Sequence, residues 1–214
     1  MNVNLISYSQ GVDGKSLMDQ VAYAARVSNP ANQNNSETAE KLVRYLINNQ
    51  HWSPLEMVSV CLEIQTTRDI ARQILRHRSF SFQEFSQRYA EVEFDWEVRE
   101  ARLQDTKNRQ NSIETDDVGL QKGWETHQSY VAYAVEQAYR WALKKGIAKE
   151  QARAVLPEGM TKSRMYMNGT LRSWVHYIQL RSANGTQKEH QEIALACAAA
   201  IQPIFPMIME YTNE

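Results

Sequence analysis

Apolar residues recur along the chain with two spacings, one typical of strands and one typical of helices. From Met57 to Gln65 apolar and polar residues alternate, with Val58, Val60, Leu62 and Ile64 on one side. Successive side chains of a strand point to opposite faces, so this run predicts a half-buried strand. Other patterns predict strands over residues 3–8, 94–98 and 161–167, and Asn168-Gly169 predicts a turn after the last one.

Spacings of three and four residues predict most of the remaining structure to be helical. Helices are predicted over residues 16–27, from 36, over 69–77, 119–145 and 148–156, from 170, and over 186–202. Ser16, Ser36 and Thr170 are candidate N-caps, and Thr186 to Glu189 resembles a capping box. Strands and helices do not alternate regularly. The pattern therefore predicts a single domain over 1–214, an α+β fold rich in helix with a mainly antiparallel sheet.

These patterns also predict whether particular side chains are buried or exposed. The residues predicted to face inward are Leu42, Tyr45 and Leu46 in the second helix, and Trp124, Val131, Val135, Ala138 and Ala142 in the longest one. Cys61 lies in the alternating run and Cys197 lies among alanines, so both are expected to be buried thiols. His127 and His190 are expected on the surface.

Composition narrows the classes of function. The 214 residues carry a formal net charge of -1, and a general nucleic-acid-binding protein usually has a basic excess. The two cysteines and five histidines show no metal-ligand spacing, so no metal site is predicted. The N-terminus does not resemble a signal peptide and no apolar run approaches a membrane span, so a cytoplasmic protein without a membrane partner is expected.

One stretch, Arg76 to Tyr89, reads RHRSFSFQEFSQRY and concentrates hydrogen-bonding groups beside phenylalanines. Its first three residues could be only a cationic cap at a helix end. A nucleic-acid-binding surface also combines basic and aromatic residues. The third interpretation is a pocket in which aromatic rings exclude water and arginines bind a phosphate. No glycine-rich phosphate loop occurs in the chain, so any nucleotide would be held by side chains and helix ends.

The same stretch resembles the R-H-R-x7-S signature of the flavin-dependent thymidylate synthases, with Ser86 as its serine. Further blocks resemble that family in the same order: AARVS (24–28), HWSPLE (51–56), ARAVLP (152–157), LRSWVHYIQLR (171–181) and TQKE (186–189). The chain departs from the family at Gln83, where Asn is common, and at Met57, where His is common. Residues 91–117 resemble the family least.

The resemblance implies that dUMP is methylated to dTMP, with methylenetetrahydrofolate as one-carbon donor and NADPH-reduced FAD as hydride source. It also implies a homotetramer with shared active sites. The implied dUMP contacts are Gln73, Arg76, Glu84, Phe85, Ser86, Gln87, Arg88, Arg153 and Arg181. The implied FAD contacts are Ser28, Ser53, Arg76, His77, Arg78, Glu84, Thr170, Arg172 and His176, with Asn168 as an alternative to Thr170.

Two residues are the candidate catalytic groups. By the resemblance, Arg181 stabilises negative charge on the pyrimidine ring; by position alone it could be a capping cation. His51 is the candidate for guiding flavin or folate, or else a structural histidine beside Trp52. Neither cysteine has an activating neighbour, which disfavours a thiolate mechanism. No base at an obvious spacing would activate Ser86, so a binding role is preferred for it.

Overall fold

A computed structural model describes residues 1–213 of the chain. Its strands are β1 (Asn2–Tyr8), β2 (Ser59–Thr67), β3 (Phe80–Glu84), β4 (Arg102–Gln104), β5 (Ser112–Glu114) and β6 (Lys162–Thr170). Its helices are α1 (Leu17–Ala25), α2 (Ala39–Asn48), α3 (Arg68–Ile74), α4 (Val118–Lys144), α5 (Lys149–Ala152), α6 (Leu171–Ser182) and α7 (Lys188–Ile201). Short 3₁₀ helices include Ser53–Met57 and Arg153–Val155. The predicted α+β class is confirmed.

The main sheet is antiparallel, with strand order β1-β2-β6-β3. The alternation predicted for β2 is confirmed, because Val60, Leu62 and Ile64 are fully buried. These residues pack against α3, α6 and α7 in one core that contains Trp174 and Phe205. The indole N–H of Trp174 donates to the Val60 carbonyl across 3.0 Å, which joins α6 to the sheet.

Strand β3 lies at the edge of this sheet, and Gly169 allows it to pack there. Phe80 pairs with Gly169 across the β3–β6 ladder, and a Cβ atom at Gly169 would overlap the Phe80 ring. The ring also lies edge-on to Trp174, with 4.8 Å between centroids. A side chain at position 169 would therefore displace the first residue of β3 from the core.

The structure corrects three predictions made for strands and caps. Asn168 and Gly169 lie within β6 and form no turn. The predicted strand at 94–98 is wrong: this part of the chain is irregular, and the small β4–β5 hairpin follows it. The expected capping box at Thr186 to Glu189 is absent, because Gln187 occupies the N-cap position of α7 without a side-chain cap.

Helix starts and ends were predicted with mixed success. Ser16 caps α1 by accepting from the Asp19 N–H at 3.1 Å, and Thr170 caps α6 by accepting from the Ser173 N–H at 3.3 Å, as expected. Helix α2 begins at Ala39, after Thr38 and not at Ser36. Helix α3 ends at Ile74, three residues before the predicted end at His77.

Some predicted faces are also wrong. In α4, Trp124, Val131 and Ala138 are exposed; the buried positions are Gln128, Ala132, Tyr139 and Ala142. Tyr45 in α2 is exposed too. His127 is on the surface as expected, whereas His190 is fully buried, because it lies on the same stripe of α7 as Ile193, Ala194 and Cys197.

Candidate active site

Arg76, His77 and Arg78 follow the last turn of α3 and lead directly into β3. The His77 N–H still bonds to the Ile74 carbonyl at 3.0 Å, so the turn continues beyond the helix. Arg76 and Arg78 are exposed, and no carboxylate within residues 1–213 forms an ion pair with either one. These two cations thus remain available to a ligand.

Arg181 and His77 are in direct contact. The Nε–H of Arg181, in the last turn of α6, donates to Nε2 of His77 across 2.9 Å. Burial, followed by the charges of Arg181 and Arg76, lowers the pKa of His77 to about 4. The imidazole is therefore neutral near pH 7 and accepts from the arginine at Nε2. The His77 ring also stands nearly perpendicular to the Tyr177 ring, with 4.9 Å between the ring centroids.

Gln73 lies on α3, one turn before His77, and is held on both sides of its amide. It contacts Gln187 at the start of α7 and His190 one turn further along α7. Sequence reasoning missed Gln187 and His190 as neighbours of Gln73. The spacing of His190 from Ile193, Ala194 and Cys197 was the signal that could have found it.

Glu84 ends β3 and does not face solvent. Its carboxylate accepts from the Ser163 hydroxyl at 2.7 Å and lies 3.4 Å from the Arg68 guanidinium. Phe85 continues the strand edge, because its N–H donates to the Arg164 carbonyl at 2.9 Å. Ser86 then opens a turn: its carbonyl accepts from the N–H groups of residues 89 and 90, and no histidine or carboxylate contacts its hydroxyl within residues 1–213.

A cavity of about 200 Å³ lies beside this turn. It is lined by Arg68, Arg72, Gln87, Arg153, Leu156 and Glu158. The side chain of Gln87 is buried, with 4% exposed, and its amide nitrogen has no hydrogen-bond partner among the described residues. Arg72 is paired with Glu158 at 2.5 Å, whereas Arg153 has no carboxylate partner in the described part of the chain. A buried donor without an acceptor beside an unpaired cation is suited to binding an anion. Arg88 lies nearby on the surface, 3.4 Å from Glu150.

Four more predicted site residues lie at the other end of the main sheet, near the start of α6. The His176 ring stands edge-on to Trp52 with centroids 4.3 Å apart, and Arg172 pairs with Glu56. Burial, with the nearby Arg172, lowers the pKa of His176. Ser53 begins the 3₁₀ helix beside them, and Thr170 caps α6 next to them.

Three other predicted residues, His51, Ser28 and Asn168, lie outside these contacts. His51 is exposed and faces Tyr45, with ring centroids 6.0 Å apart. It does not stack on Trp52, which contacts His176. Ser28 is exposed after α1. Asn168, the alternative to Thr170, is exposed in the middle of β6.

One chain therefore brings the predicted site residues together in three separate groups. The first is Gln73, Arg76, His77 and Arg181 between α3 and α6; the second is Glu84 to Arg88 with Arg153 around the cavity. The third is Ser53, Thr170, Arg172 and His176 at the opposite end of β6. Strand β3 separates the second group from the third, because Phe80 pairs with Gly169 and Glu84 with Met165.

The thiols differ in exposure. Cys197 is fully buried as expected, and burial raises its pKa strongly. Cys61 is only half-buried, and burial still raises its pKa above the usual value. Neither thiol has a cation beside it that would favour the thiolate. Within residues 1–213, no three His, Cys, Asp or Glu side chains are grouped to hold a metal ion. None of the helices described is long and apolar enough to span a membrane.

Comparison with known proteins agrees with this geometry. Residues 5–207 match the family described as thymidylate synthase complementing protein. A probable flavin-dependent thymidylate synthase of Paramecium bursaria Chlorella virus 1 is 49% identical over 210 residues, which cover 97% of each chain. The flavin-dependent thymidylate synthase of Synechocystis sp. is 48% identical over 213 residues and also covers 97% of each chain.

A solved structure is similar as well. The crystal structure of a UMP/dUMP methylase, PolB from Streptomyces cacaoi, bound with 5-Br dUMP, superposes with a TM-score of 0.83 at 26% identity, covering 98% of this chain and 93% of that one. These relatives give the nucleic-acid-binding interpretation no support. By the extent of its match and the identity of its relatives, the chain belongs to the family of flavin-dependent thymidylate synthases.

Proposed function

We propose that the protein converts dUMP to dTMP, taking its one-carbon unit from methylenetetrahydrofolate and its reducing equivalents from NADPH through FAD. The single observation that carries the nucleotide-binding part is the cavity of Gln87 and Arg153. Its orphan amide donor and its unpaired guanidinium fit the phosphate of a nucleotide, and Ser86 and Arg88 flank it. Each charge-assisted hydrogen bond there would contribute about 1.5–3 kcal/mol.

Arg181 is the proposed activating group for the pyrimidine. His77 accepts from its Nε–H, so the two terminal nitrogens of the guanidinium remain to face a ligand. A cation held in this way would stabilise negative charge at N3 of the uracil and on its flanking carbonyls, which polarises the ring before C5 attacks the one-carbon unit. Gln73 and Arg76 are the proposed neighbours of the nucleotide here. The raised pKa values of Cys61 and Cys197 fit a mechanism without covalent addition of cysteine.

The residues fit a flavin nucleotide by their donor chemistry. Arg78 and Arg76 are unpaired cations for a diphosphate, and His176 against Trp52 offers an aromatic edge beside Arg172. His77, Ser28, Ser53, Thr170 and Glu84 complete the proposed contacts, and His51 is the proposed guide for flavin or folate. When bound, FAD would supply the hydride that completes the methyl group. The protein residues would hold it and exclude water.

A homotetramer with shared sites is part of this proposal. The third group of site residues lies at the other end of the sheet from the cavity, so a second chain could complete the site. Helix α4 supports association, because its exposed side includes Trp124, Tyr130, Tyr133 and Trp141, which are 45%, 68%, 67% and 59% exposed. So many exposed aromatic residues on one helix are typical of a contact between protein chains.

The experiment begins with purified protein to which FAD is added and from which excess FAD is removed. A retained flavin absorption band should bleach when NADPH is added without oxygen, at a rate that dUMP changes. Addition of methylenetetrahydrofolate should then yield dTMP, measured by chromatography. Folded protein that retains no flavin and makes no dTMP would contradict the proposal, and RNA or DNA binding sensitive to salt would then favour the nucleic-acid alternative.

A further inference from the structure

Four hydrogen bonds in series connect α6, α3 and α7 beneath Arg181. The Tyr177 hydroxyl lies 3.1 Å from Nε2 of His190, whose Nδ1 lies 3.3 Å from Oε1 of Gln73. Nε2 of Gln73 is 2.7 Å from Oε1 of Gln187, and Nε2 of Gln187 is 2.9 Å from Oε2 of Glu189. We call this series the Glu189 relay.

The carboxylate at one end fixes the direction of every bond in the relay. Glu189 also contacts the guanidinium groups of Arg102 and Arg99, which donate and never accept, so its oxygens act as acceptors. Gln187 must then donate its amide N–H to Glu189 and present its oxygen to Gln73. Gln73 in turn must donate its N–H to Gln187 and present its oxygen to His190.

The same logic fixes the tautomer of His190. Its Nδ1 faces an amide oxygen, which only accepts, so Nδ1 carries the proton and Nε2 is bare. The Tyr177 hydroxyl then donates to Nε2. Burial lowers the pKa of His190 to about 3, and the nearby Arg181, His77 and Arg76 contribute to this shift. The His190 ring is therefore uncharged near pH 7.

Both ends of the relay are well protected from solvent. Tyr177 at one end is 1% exposed and the neighbouring His190 is fully buried. At the other end, the side chains of Glu189 and its partner Arg102 are 13% and 11% exposed. Arg99 lies in the irregular segment before β4, and Arg102 is the first residue of β4. Arg99 is fixed by Asp69 at 2.9 Å. The part of the chain between β3 and β5 thus anchors the relay.

We propose that Glu189 is a positioning residue that orients the Gln73 amide through Gln187 and so determines which group Gln73 presents to the nucleotide. Within residues 1–213, only one of the two amide N–H bonds of Gln73 has an acceptor. The relay fixes the direction of the second N–H bond. Gln73 therefore donates this N–H to an oxygen of the nucleotide, either a phosphate oxygen or a carbonyl oxygen. This step rests on the proposed function, because Gln73 is a proposed dUMP contact.

Glu189→Gln provides a sharp test, because it should reverse the relay. Arg102 would attract the oxygen of the new amide, which would leave its NH₂ group facing Gln187. Gln187 and Gln73 would then each turn over, and His190 would accept at Nδ1 and donate from Nε2 to Tyr177. The matched control is Glu192→Gln, an exposed carboxylate on the same helix without a hydrogen bond in the described part of the chain.

The first readout needs no substrate. Nitrogen-15 spectra of histidine-labelled protein distinguish protonated from bare ring nitrogens, and loss of a signal in His190→Asn assigns His190. Wild type, Glu192→Gln and Tyr177→Phe should show the Nδ1–H form, and Glu189→Gln the Nε2–H form. An Nε2–H form in the wild type, or an unchanged tautomer in folded Glu189→Gln, would overturn the relay.

The second readout is the KM for dUMP. Glu189→Gln should raise it about 3- to 10-fold with little change in kcat, because one hydrogen bond to the nucleotide is misdirected. A reversed tautomer with an unchanged KM would overturn the assignment of the Gln73 donor to the nucleotide. If the wild type makes no dTMP but the His190 tautomer still reverses in Glu189→Gln, the proposed function is contradicted and the relay is left intact.

Discussion

The guanidinium of Arg181 is held by a neutral imidazole, since its Nε–H donates to Nε2 of His77 across 2.9 Å. An ion pair with a carboxylate would reduce the ability of Arg181 to stabilise negative charge on a ligand, whereas a neutral acceptor leaves its positive charge uncompensated. The contact therefore orients a cation without neutralising it.

Replacement of Arg181 by Ala should lower kcat for dTMP formation about 100- to 1,000-fold, because a preorganised cation for the developing charge is lost. Flavin binding, measured by retained absorbance, should persist. Arg140→Ala is the matched control, since Arg140 is exposed on α4, where it contacts Glu136 and the Phe94 ring and pairs with no proposed site residue in the described part of the chain. Turnover that survives in Arg181→Ala would refute ring activation by this residue.

Replacement of Arg153 by Ala should raise the KM for dUMP about 10- to 100-fold, the equivalent of one charge-assisted hydrogen bond to phosphate. Steady-state kinetics with 2′-deoxyuridine, which lacks the phosphate, supply the internal control. Its much weaker use as a substrate should not change further in the variant. An equal effect on both compounds would show that Arg153 does not bind the phosphate.

The double replacement of Cys61 and Cys197 by Ala should leave kcat nearly unchanged. Burial raises the pKa of both thiols, so neither supplies a thiolate near neutral pH. The variant should lose about 1–2 kcal/mol of stability, mainly from the space left by the Cys197 sulfur. Abolished turnover in protein that retains its circular dichroism and flavin would reopen a thiolate mechanism.

The free energy of unfolding should fall in acid partly because of His190. Its pKa is about 3 in the folded protein against an ordinary value of 6.5, so only the unfolded chain takes up this proton between these limits. The stabilisation is complete above pH 6.5 and decreases as the pH falls, by at most about 1.4 kcal/mol per pH unit.

Urea titrations from pH 7 to pH 4 measure this dependence. In His190→Gln the slope of unfolding free energy against pH should be shallower than in the wild type by about one proton over this range. The half-buried His77 titrates in both proteins and contributes to both slopes, so the difference between the slopes reports His190. Parallel curves for the two proteins would show that folding leaves the pKa of His190 near its ordinary value.

Replacement of Gly169 by Ala should destabilise the protein by about 1–3 kcal/mol, because the new methyl group meets the Phe80 ring. Phe80→Leu should cost less when combined with Gly169→Ala than when made alone, which a double-mutant cycle of unfolding free energies measures. Additive effects would mean that the two residues do not constrain each other. Gly123→Ala, where a Cβ meets no atom within 4 Å, is the control.

Local patterns in the sequence were sufficient for the elements that bury one regular face. Strand β2 was predicted from its alternation, and the caps at Ser16 and Thr170 from side-chain chemistry. Strand β3 was missed, because Phe80 to Glu84 becomes a strand by pairing with β6, a partner distant in sequence. The inward face of α4 was predicted from the spacing of its apolar residues, and this prediction was wrong for Trp124. The core of one chain does not extend far enough to cover that side chain.

The candidate site could be predicted where its residues are close in sequence. Residues that meet only through the packing of distant elements were much harder to connect. Arg76 to Arg88 could be identified as one segment, and Gln73 and Arg76 as neighbours on one helix face. The partners of Gln73 could not, because Gln187 and His190 approach it only through the packing of α7 on α3. Arg99 lies in an irregular segment and Arg102 begins the short strand β4, so no local pattern connected them to Glu189.

The edge position of β3 has a consequence for the order in which the protein folds. Glu84 and Ser163, which meet across β3 and β6, are 79 residues apart, so the turn that follows β3 has no partner strand until most of the chain has been synthesised. Contacts of such long range slow folding, because a large loop must close before they form. A nascent chain that ends before β6 would therefore carry the complete Arg76–Tyr89 segment without the strand that shapes it.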